Sequence, residues 1–480
     1  MSGTSRSSAP HEHQLRAGAL SLFDSVIMAV AGVAPGYSIA ASTAALFGVV
    51  ALGGAAALLY CGIAMFGIVF AFNYLGRDET NAGASYSWVR RALHPALGYL
   101  SGWALVVSAL IFMVAATVPA GANILGLFSS SATSSVGAVT LVGSIFFLLM
   151  VGAVAAGVTI TVTVQVIMSS IEIVILLLFM VLAIVHGHHV NTFSWHWFSP
   201  SIFHGSSGFF GGALIAAFYY WGWDVTANLN EETKGAKRTP GIGGIIGVVF
   251  VFLLFEVFTV ATNLVLTASQ IQNNPADVLS VLGQAVWHGT GGKIIVIAVV
   301  LSTVATLETT LIQVTRTLFA MGRDNTLPKI LGTVNKHRQT PIVATVIVTV
   351  LSLGLFVGSQ FVGSIGSILS DAISAIGLQI AIYYSLAGFA VVVLYRRQLL
   401  KSATNFVFMG LWPFVGAVFM VVMFIKTIPT LNATTLWVGL GAMALGLIPM
   451  AFYWTKGNPY FDLPTKEDRH AVLQEFEVLL

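Results

Sequence analysis

The chain consists mostly of long apolar runs, each able to form a helix of about 20 residues that crosses the hydrocarbon core of a bilayer. Only 8% of its 480 residues are charged, whereas about a quarter of the residues of a soluble protein carry a charge. So few charged residues cannot give a protein surface that is soluble in water, so the surrounding solvent must be mostly lipid. In lipid, an α-helix forms all of its backbone hydrogen bonds within itself. The sequence therefore predicts an all-α polytopic membrane protein. Twelve transmembrane helices, spans 1 to 12, are predicted near 22–45, 49–74, 96–127, 137–156, 160–186, 209–231, 241–267, 293–320, 341–358, 366–394, 406–427 and 432–454.

The basic residues predict how these spans are oriented. If the amino terminus is cytoplasmic, all of the 21 lysines and arginines except Lys293 and Lys426 fall on the cytoplasmic side. We therefore expect a multi-pass protein of the cell (cytoplasmic) membrane with both termini in the cytoplasm. Residues 1–17 are expected to form a disordered cytoplasmic tail and residues 456–480 a second tail, in which 462–480 could form an amphipathic surface helix.

Span 1 contains a sequence that is expected to interrupt its helix. Residues 31–38 read AGVAPGYS. Pro35 lacks a backbone donor and clashes with the preceding turn, and Gly36 tolerates unusual backbone angles. Backbone groups freed in this way are tolerated at membrane depth only where they line a cavity or meet a ligand. A simple proline kink is the alternative.

Span 6 contains a second sequence of this kind. Residues 218–224 read FYYWGWD, in which Gly222 lies among aromatic residues and is followed closely by the carboxylate of Asp224. Aromatic rings beside an interrupted backbone could cover a ligand. The alternative is a cluster of aromatic residues that only packs.

The two interruptions occupy matching places in two five-span halves of opposite orientation. Paired interrupted helices of this kind are the best sequence indication of a transporter binding site. The amino-terminal end of a half-helix attracts a carboxylate, and freed carbonyl groups accept hydrogen bonds from an ammonium group.

Seven segments, taken with their order and spacing, resemble amino acid–polyamine–organocation (APC) superfamily permeases of the amino acid transporter type. The resemblance covers spans 1 to 10. The segments are GVAPG at 32–36, AGASY at 82–86, GYLSGW at 98–103, GWD at 222–224, NLNEETK at 228–234, RTLFAMGRD at 316–324 and LP at 327–328.

This resemblance implies a LeuT-type fold with two inverted five-helix repeats, 18–190 and 191–400, and two further helices within 401–455. It also implies that a substrate carboxylate binds the amides after the first interruption, and that Phe218 acts as an aromatic gate. The substrate's ammonium would meet carbonyls around Val33 and 218–221. The residues expected to bind substrate are Val33, Ala34, Pro35, Gly36, Tyr37, Ser38, Phe218, Tyr219, Trp221, Gly222, Trp223 and Asp224.

Five acidic residues fall at or near membrane depth without a lysine or arginine clearly at the same depth: Glu172, Asp224, Glu256, Glu308 and Asp371. A charge in the middle of a bilayer costs roughly 2.5 kcal/mol or more on insertion scales. Such acids should therefore be neutralised by a species that binds reversibly. The candidates are a proton, Na⁺ and a cationic substrate. A coupling proton is preferred to Na⁺ here.

Glu172 is the first candidate for the coupling proton. It continues a polar stripe with Gln165 and Ser169 along span 5. Some proton-coupled members of the family that the chain resembles have a lysine at the matching position, so their mechanism cannot be carried over unchanged. A buried glutamate could itself bind and release the proton. The alternative is an acid that stays neutral and hydrogen-bonded to a neighbour.

Glu308 of span 8 is the second candidate, and Glu256 of span 7 is expected to be a hydrogen-bonded scaffold residue. Glu308 lies about 120° around the helix from a stripe that includes Ser302 and Thr306. Whether it faces the site or the scaffold stays open. A glutamate at this position could select a cationic substrate.

These observations predict a secondary active transporter for an amino acid or related amine, driven by proton symport, with alternating access around the interrupted spans. An exchanger without net proton coupling is the close alternative; a channel, a receptor and an intramembrane enzyme are more distant ones. No catalytic residues, cofactor, metal or nucleic-acid partner are expected, and a single cysteine, Cys61, excludes an intrachain disulfide. The expected partners are the small-molecule substrate, the proton and the lipid bilayer, and the protein is expected to work as a monomer.

Overall fold

The computed structural model describes residues 14–128, 132–275, 278–361 and 365–465. Within these ranges the regular structure is helical, and the β-type pairing is confined to an isolated bridge between Leu20 and Thr233. Most of the predicted tail 1–17 and most of the predicted surface helix 462–480 lie outside the described residues.

The helices are numbered in chain order, and several membrane-depth segments are made of more than one helix. They are α1 Leu22–Val33, α2 Pro35–Val50, α3 Gly54–Asp78, α4 Ser85–Ala92, α5 Pro95–Phe128, α6 Val136–Ala156, α7 Val158–Val185, α8 Gly205–Tyr219, α9 Val225–Asn228, α10 Thr239–Val265, α11 Ala268–Gln272, α12 Val278–Val286, α13 Ile294–Arg323, α14 Ile342–Ser359, α15 Ile365–Leu394, α16 Ala403–Asn405, α17 Trp412–Thr427, α18 Ala433–Leu436, α19 Ala442–Leu445 and α20 Leu447–Thr455. Two π-helical segments, Phe406–Leu411 and Trp437–Gly441, connect α16 to α17 and α18 to α19.

Ten helical segments in the described part of the chain are long and apolar enough to cross a membrane, so the protein is a multi-pass membrane protein. The twelve predicted spans differ from these ten at two places. The segment Leu22–Asp78 contains both of the first two predicted spans as α1, α2 and α3. Predicted span 6 corresponds to α8, α9 and the residues between them, and α8 alone has only 15 residues.

Two boundaries at the start of the chain differ from the prediction. Span 1 was predicted to end near residue 45 and span 2 to begin near 49, but α2 continues to Val50 and α3 begins at Gly54. The intervening turn passes through Ala51, whose φ is 48°. The apolar sequence does not mark the exact position of this turn, because hydropathy does not record backbone direction.

The helices form a packed centre and a lipid-facing periphery. In the centre, α1 packs against α10 and α13, and α5 packs against α13 and α15. The peripheral helices expose large apolar side chains, for example Leu149 of α6, Val174 of α7 and Val350 of α14, each about two-thirds exposed (64%, 66% and 65%). Apolar exposure on this scale suits lipid as the surrounding solvent.

Candidate substrate and coupling site

The first interruption lies between α1 and α2 at Ala34. Its backbone is left-handed, with φ 52° and ψ 70°. The residue before a proline is disfavoured in the right-handed helical region, so the helix cannot easily continue through this position. Proline then starts α2 with the φ that a first helical turn requires. A left-handed alanine costs about 1–2 kcal/mol, so the surrounding helices must hold this conformation in place. The interruption predicted in span 1 is confirmed.

The second interruption separates α8, which ends at Tyr219, from the four-residue α9, which begins at Val225. Gly222 has φ 104°, a conformation that other residues rarely adopt. The interruption predicted in span 6 is therefore also present, close to the predicted glycine.

The two interruptions meet backbone against backbone. A Cβ atom added to Gly32 would overlap the carbonyl oxygen of Gly222, and one added to Gly222 would overlap the carbonyl oxygen of Gly32. Glycine is therefore required at both positions. Sequence reasoning recognised Gly222 but gave Gly32 no individual role.

Side chains from α7 and α13 hold the first interruption. The Gly36 amide donates to Glu172 Oε1 at 2.9 Å, and the Tyr37 amide donates to Ser302 Oγ at 3.0 Å. Thr306 Oγ1 donates to the Gly32 carbonyl at 3.0 Å. Glu172 is fully buried, and its second oxygen has no hydrogen-bond partner in the described residues.

The predicted candidate Glu308 also lies at the contact between α7 and α13. It is 1% exposed, and Gln165 Nε2 donates to its Oε2 at 2.5 Å and to the Ala305 carbonyl at 2.8 Å. The side chain of Glu308, whose orientation the sequence did not determine, therefore points towards α7. The other carboxylate oxygen of Glu308 has no partner in the described part of the chain.

Asp224 connects the second interruption to α15. Tyr383 and Tyr384 donate their hydroxyl groups to its two oxygens at 3.0 and 3.1 Å. Trp221 Nε1 in turn donates to the Tyr383 hydroxyl at 2.6 Å. Asp224 is thus held by neutral phenols and has no arginine or lysine among these contacts.

Four aromatic rings from α2, α5 and the end of α8 form one cluster, which we call the aromatic cluster: Tyr37, Phe112, Phe218 and Trp221. Tyr37 contacts Phe112 edge-on with ring centroids 5.5 Å apart, and Phe112 contacts Trp221 at 5.4 Å. Phe218 lies 6.5 Å from Tyr37 and 6.4 Å from Trp221. The Tyr37 hydroxyl is buried without a partner in the described residues.

Other predicted substrate residues make contacts that support the interruptions. Ser38 Oγ donates to the Val33 carbonyl at 2.7 Å, and the hydroxyl groups of Tyr219 and Thr43 are 2.8 Å apart. Trp223 packs against Phe72 of α3, with ring centroids 5.1 Å apart. Trp223 thus contacts the surrounding scaffold.

The structure contradicts the expectation for Glu256. This residue of α10 is 8% exposed, and neither of its carboxylate oxygens has a hydrogen-bond partner in the described residues. A hydrogen-bonded scaffold role is therefore wrong, because the residues that neighbour Glu256 do not supply a donor.

The chain is tightly packed at the end of the helical bundle where α1 begins and α13 ends. Arg316 donates to both oxygens of Glu232 at 3.0 and 3.1 Å, and both side chains are buried. The amides of Ala19 and Leu20 donate to the Glu232 carbonyl at 2.8 and 3.1 Å. Leu15, only 3% exposed, belongs to a small apolar cluster with Ala82 and Phe319. We call residues 15–20 the amino-terminal strap.

Asp324 follows α13 beyond the membrane-depth helices. Burial raises its pKa above the usual value for an aspartate, and the positive charge of Arg323 opposes that change.

Two cavities adjoin the halves of the interrupted first helix. One, of about 220 Å³, is lined by small residues of α2, including Ala41, Ala44 and Gly48, and by Ile373 of α15. The other, of about 320 Å³, lies between the start of α1 and the start of α7 and is lined in part by Asp24.

Several site residues had no assigned role in the sequence analysis. Ser302 and Thr306 belonged to a polar stripe that signalled one face of a helix but not its partner. Phe112, Tyr383 and Tyr384 lie in apolar runs and gave no signal, because their role depends on contacts distant in the chain.

Comparison with known proteins identifies the family of the chain. A family model described as amino acid permease matches residues 20–448. The branched-chain amino acid permease BcaP of Bacillus subtilis (strain 168) is 31% identical over 162 residues, 33% of this chain and 33% of the relative. The serine/threonine exchanger SteT of the same organism is 26% identical over 249 residues, 51% of this chain and 54% of the relative. The low-affinity putrescine importer PlaP of Escherichia coli (strain K12) is 27% identical over 286 residues, 56% of this chain and 54% of the relative.

These matches span between a third and about half of the length of each relative. The three relatives are named for transport and not for catalysis. The match to the family model extends over most of the chain, including both interruptions and the helices that hold them. The chain therefore belongs to the amino acid permease family, whose members are transporters and not enzymes.

Proposed function

We propose that this protein is a proton-coupled symporter that carries an amino acid or a related amine across the cytoplasmic membrane. The observation that carries the proposal is the contact between two interrupted helices, the first of which is bound by the buried acid Glu172. A second buried acid, Glu308, lies at the contact between α7 and α13, and the described residues give neither acid a cation as a hydrogen-bond partner. Paired interrupted helices are characteristic of transporter binding sites. The twelve residues predicted to bind substrate lie on these two interruptions.

The proposed architecture has twelve crossings with both termini in the cytoplasm. Residues 18–190 and 191–400 form two inverted repeats of the LeuT type, and two further helices follow. Counting α1 with α2 as one crossing, α3 as the next, and α8 with α9 as another gives twelve from the helices described above. The positions of lysine and arginine support this orientation.

A proton is the proposed coupling ion, because a single acceptor oxygen without a partner is enough to take it up. A hard cation needs several oxygen ligands at once. The Gly32, Val33 and Ala305 carbonyls each already accept a hydrogen bond from a side chain of the protein. The second oxygens of Glu172 and Glu308, in contrast, have no partner in the described part of the chain and can take up a proton.

The two cavities beside α1 and α2 suit alternating access. The cavity at α2 adjoins α15 on the proposed outer side, and the cavity between α1 and α7 lies on the proposed cytoplasmic side; the lining of both consists of residues other than those that hold the interruptions. In the proposed mechanism, the half-helices move about the Gly32–Gly222 contact, so that one cavity at a time reaches the site.

The proposal is tested with purified protein in liposomes, using labelled amino acids and amines with and without an inward proton gradient. We expect concentrative uptake that requires the gradient and is abolished by a protonophore. Glu172→Gln and Glu308→Gln should abolish accumulation and retain exchange of internal for external substrate. Glu256→Gln, which alters a buried acid outside the interruptions, should retain accumulation.

An exchanger without net proton coupling is the second candidate, and the similarity to the exchanger SteT favours considering it. Uptake that depends only on substrate inside the liposomes and ignores the proton gradient would support it. Full accumulation by Glu172→Gln and Glu308→Gln would likewise contradict the proposed coupling role of both acids.

A further inference from the structure

The hydrogen-bond donors at the start of α2 are all used by the protein itself. Pro35, the first residue of the helix, has no N–H. The next two amides donate to Glu172 Oε1 and to Ser302 Oγ, at 2.9 and 3.0 Å. The Ser38 amide donates to the Ala34 carbonyl at 2.8 Å. The first turn of α2 therefore has no free amide to offer to a ligand.

Glu172 places a carboxylate at the end of a helix that favours negative charge. Its hydrogen bond to Gly36 is the contact that the carboxylate of an amino acid substrate would otherwise make. A second carboxylate brought to the same amides would lie close to the first, and two such charges at close range disfavour each other strongly. The carboxylate of Glu172 therefore occupies the position at the start of α2 that a substrate carboxylate would take.

The same region is rich in acceptors that lack donors. The Ala31 carbonyl receives no helical hydrogen bond, because Pro35 stands four residues later. The second carboxylate oxygen of Glu172, the acid bound to the Gly36 amide, also has no partner in the described residues. The aromatic cluster adds ring faces, which attract cations.

No positive side chain among these contacts balances a substrate carboxylate. Arg316, the buried arginine of α13, is committed to both oxygens of Glu232. The site thus offers acceptors, rings and a carboxyl group, and its amides are occupied. This inventory suits an ammonium group and opposes a carboxylate.

We propose that the transported substrate is an organic amine without a carboxylate, and that Glu172 excludes amino acids by occupying the carboxylate position. This inference rests on the proposed function, because it assumes that the interruptions form the substrate site. Glu172 is then a residue that determines specificity as well as a candidate for the coupling proton.

The test measures equilibrium binding to the purified full-length protein for three matched pairs: isoamylamine and leucine, tyramine and tyrosine, and putrescine and ornithine. We expect the amine to bind at least about tenfold more tightly than the amino acid in any pair that binds, a difference of about 1.4 kcal/mol. Equal or tighter binding of the amino acids, or no binding of any amine, overturns the inference.

Variants of Glu172 test whether this residue causes the preference. Glu172→Ala frees the Gly36 amide and should shrink the amine preference at least about tenfold, whereas Glu256→Ala should leave it unchanged. Glu172→Gln keeps an acceptor for Gly36 and removes the charge, so it should shrink the preference less, and it provides the test should the alanine variant fail to fold. An unchanged preference in the folded variants overturns the role of Glu172.

Liposome uptake separates failure of this inference from failure of the proposed function. Proton-driven uptake of amino acids in preference to amines would refute the inference and leave the proposed function standing. Absence of transport for both classes would refute the proposed function.

Discussion

The two interrupted helices are held in place by different kinds of contact. Around α1 and α2, side chains of α7 and α13 bind the backbone itself, and one of them, Glu172, can change its charge. Around α8 and α9, the contacts run outward from side chains of the interruption itself, the carboxylate of Asp224 and the indole of Trp221, to phenol groups of α15. In the proposed mechanism, a proton on Glu172 acts directly on the first interruption, through the hydrogen bond to Gly36. The second is affected through the backbone contact between Gly32 and Gly222.

The largest effect is expected at the contact that joins the two interruptions. Gly222→Ala places a Cβ atom against the Gly32 carbonyl and forces alanine to adopt φ 104°. Overpacking and strain together should cost about 4 kcal/mol and abolish transport. Gly354→Ala in α14 is the control, because its Cβ meets open space. Equal melting temperatures for the two variants would contradict the tight contact.

Removing the acceptor of the second interruption should have the next largest effect. Asp224→Ala leaves the buried hydroxyl groups of Tyr383 and Tyr384 without their acceptor, at a cost of about 3 kcal/mol in the free energy of unfolding. Asp224→Asn keeps one acceptor oxygen and should cost less. Denaturation of the purified variants measures both values, and equal losses would show that the hydrogen bonds are unimportant.

The two tyrosines of α15 should differ from each other. Tyr383→Phe removes a hydroxyl that accepts from Trp221 and donates to Asp224, at a cost of about 2 kcal/mol. Tyr384→Phe removes only the bond to Asp224 and should cost about 1 kcal/mol. The two variants serve as controls for each other in thermal unfolding. A larger loss for Tyr384→Phe would contradict the network described here.

The smallest effect is expected at the first interruption, where several groups share the backbone contacts. Ser302→Ala removes the acceptor of the Tyr37 amide and should cost about 1 kcal/mol, as loss of a helix cap does. Ser170→Ala, on the exposed side of α7, should change stability by less than about 0.5 kcal/mol. If Ser302→Ala unfolded at the same temperature as Ser170→Ala, the hydrogen bond to Tyr37 would have no stabilising role.

The sequence predicted those features that a short segment determines by itself. Pro35 and Gly222 indicated both interruptions, because their backbone chemistry is local. The orientation of Glu308 was not predictable, because spacing gives an angle around a helix and not the neighbour at that angle. Its partner Gln165 lies 143 residues away. Glu256 was assigned a hydrogen-bonded role for the same reason, without knowledge of the groups that surround it.

Short helices and the exact positions of turns are a second class of structural features that the sequence did not predict. The eight-residue α4 is too short and too polar to resemble a membrane span. The turn at Ala51 was predicted a few residues too early, between residues 45 and 49, because the apolar sequence around it does not mark its position. Both are placed by packing against neighbouring helices, which no local pattern records.

The amino-terminal strap has a consequence for the speed of transport. The start of α1 cannot swing outward unless the amides of Ala19 and Leu20 leave the Glu232 carbonyl and Leu15 leaves Ala82 and Phe319. These contacts must break and reform in every cycle that opens this side of the protein. In the proposed alternating-access mechanism, the free energy needed to break these contacts adds to the barrier for opening this side, so the strap would slow turnover.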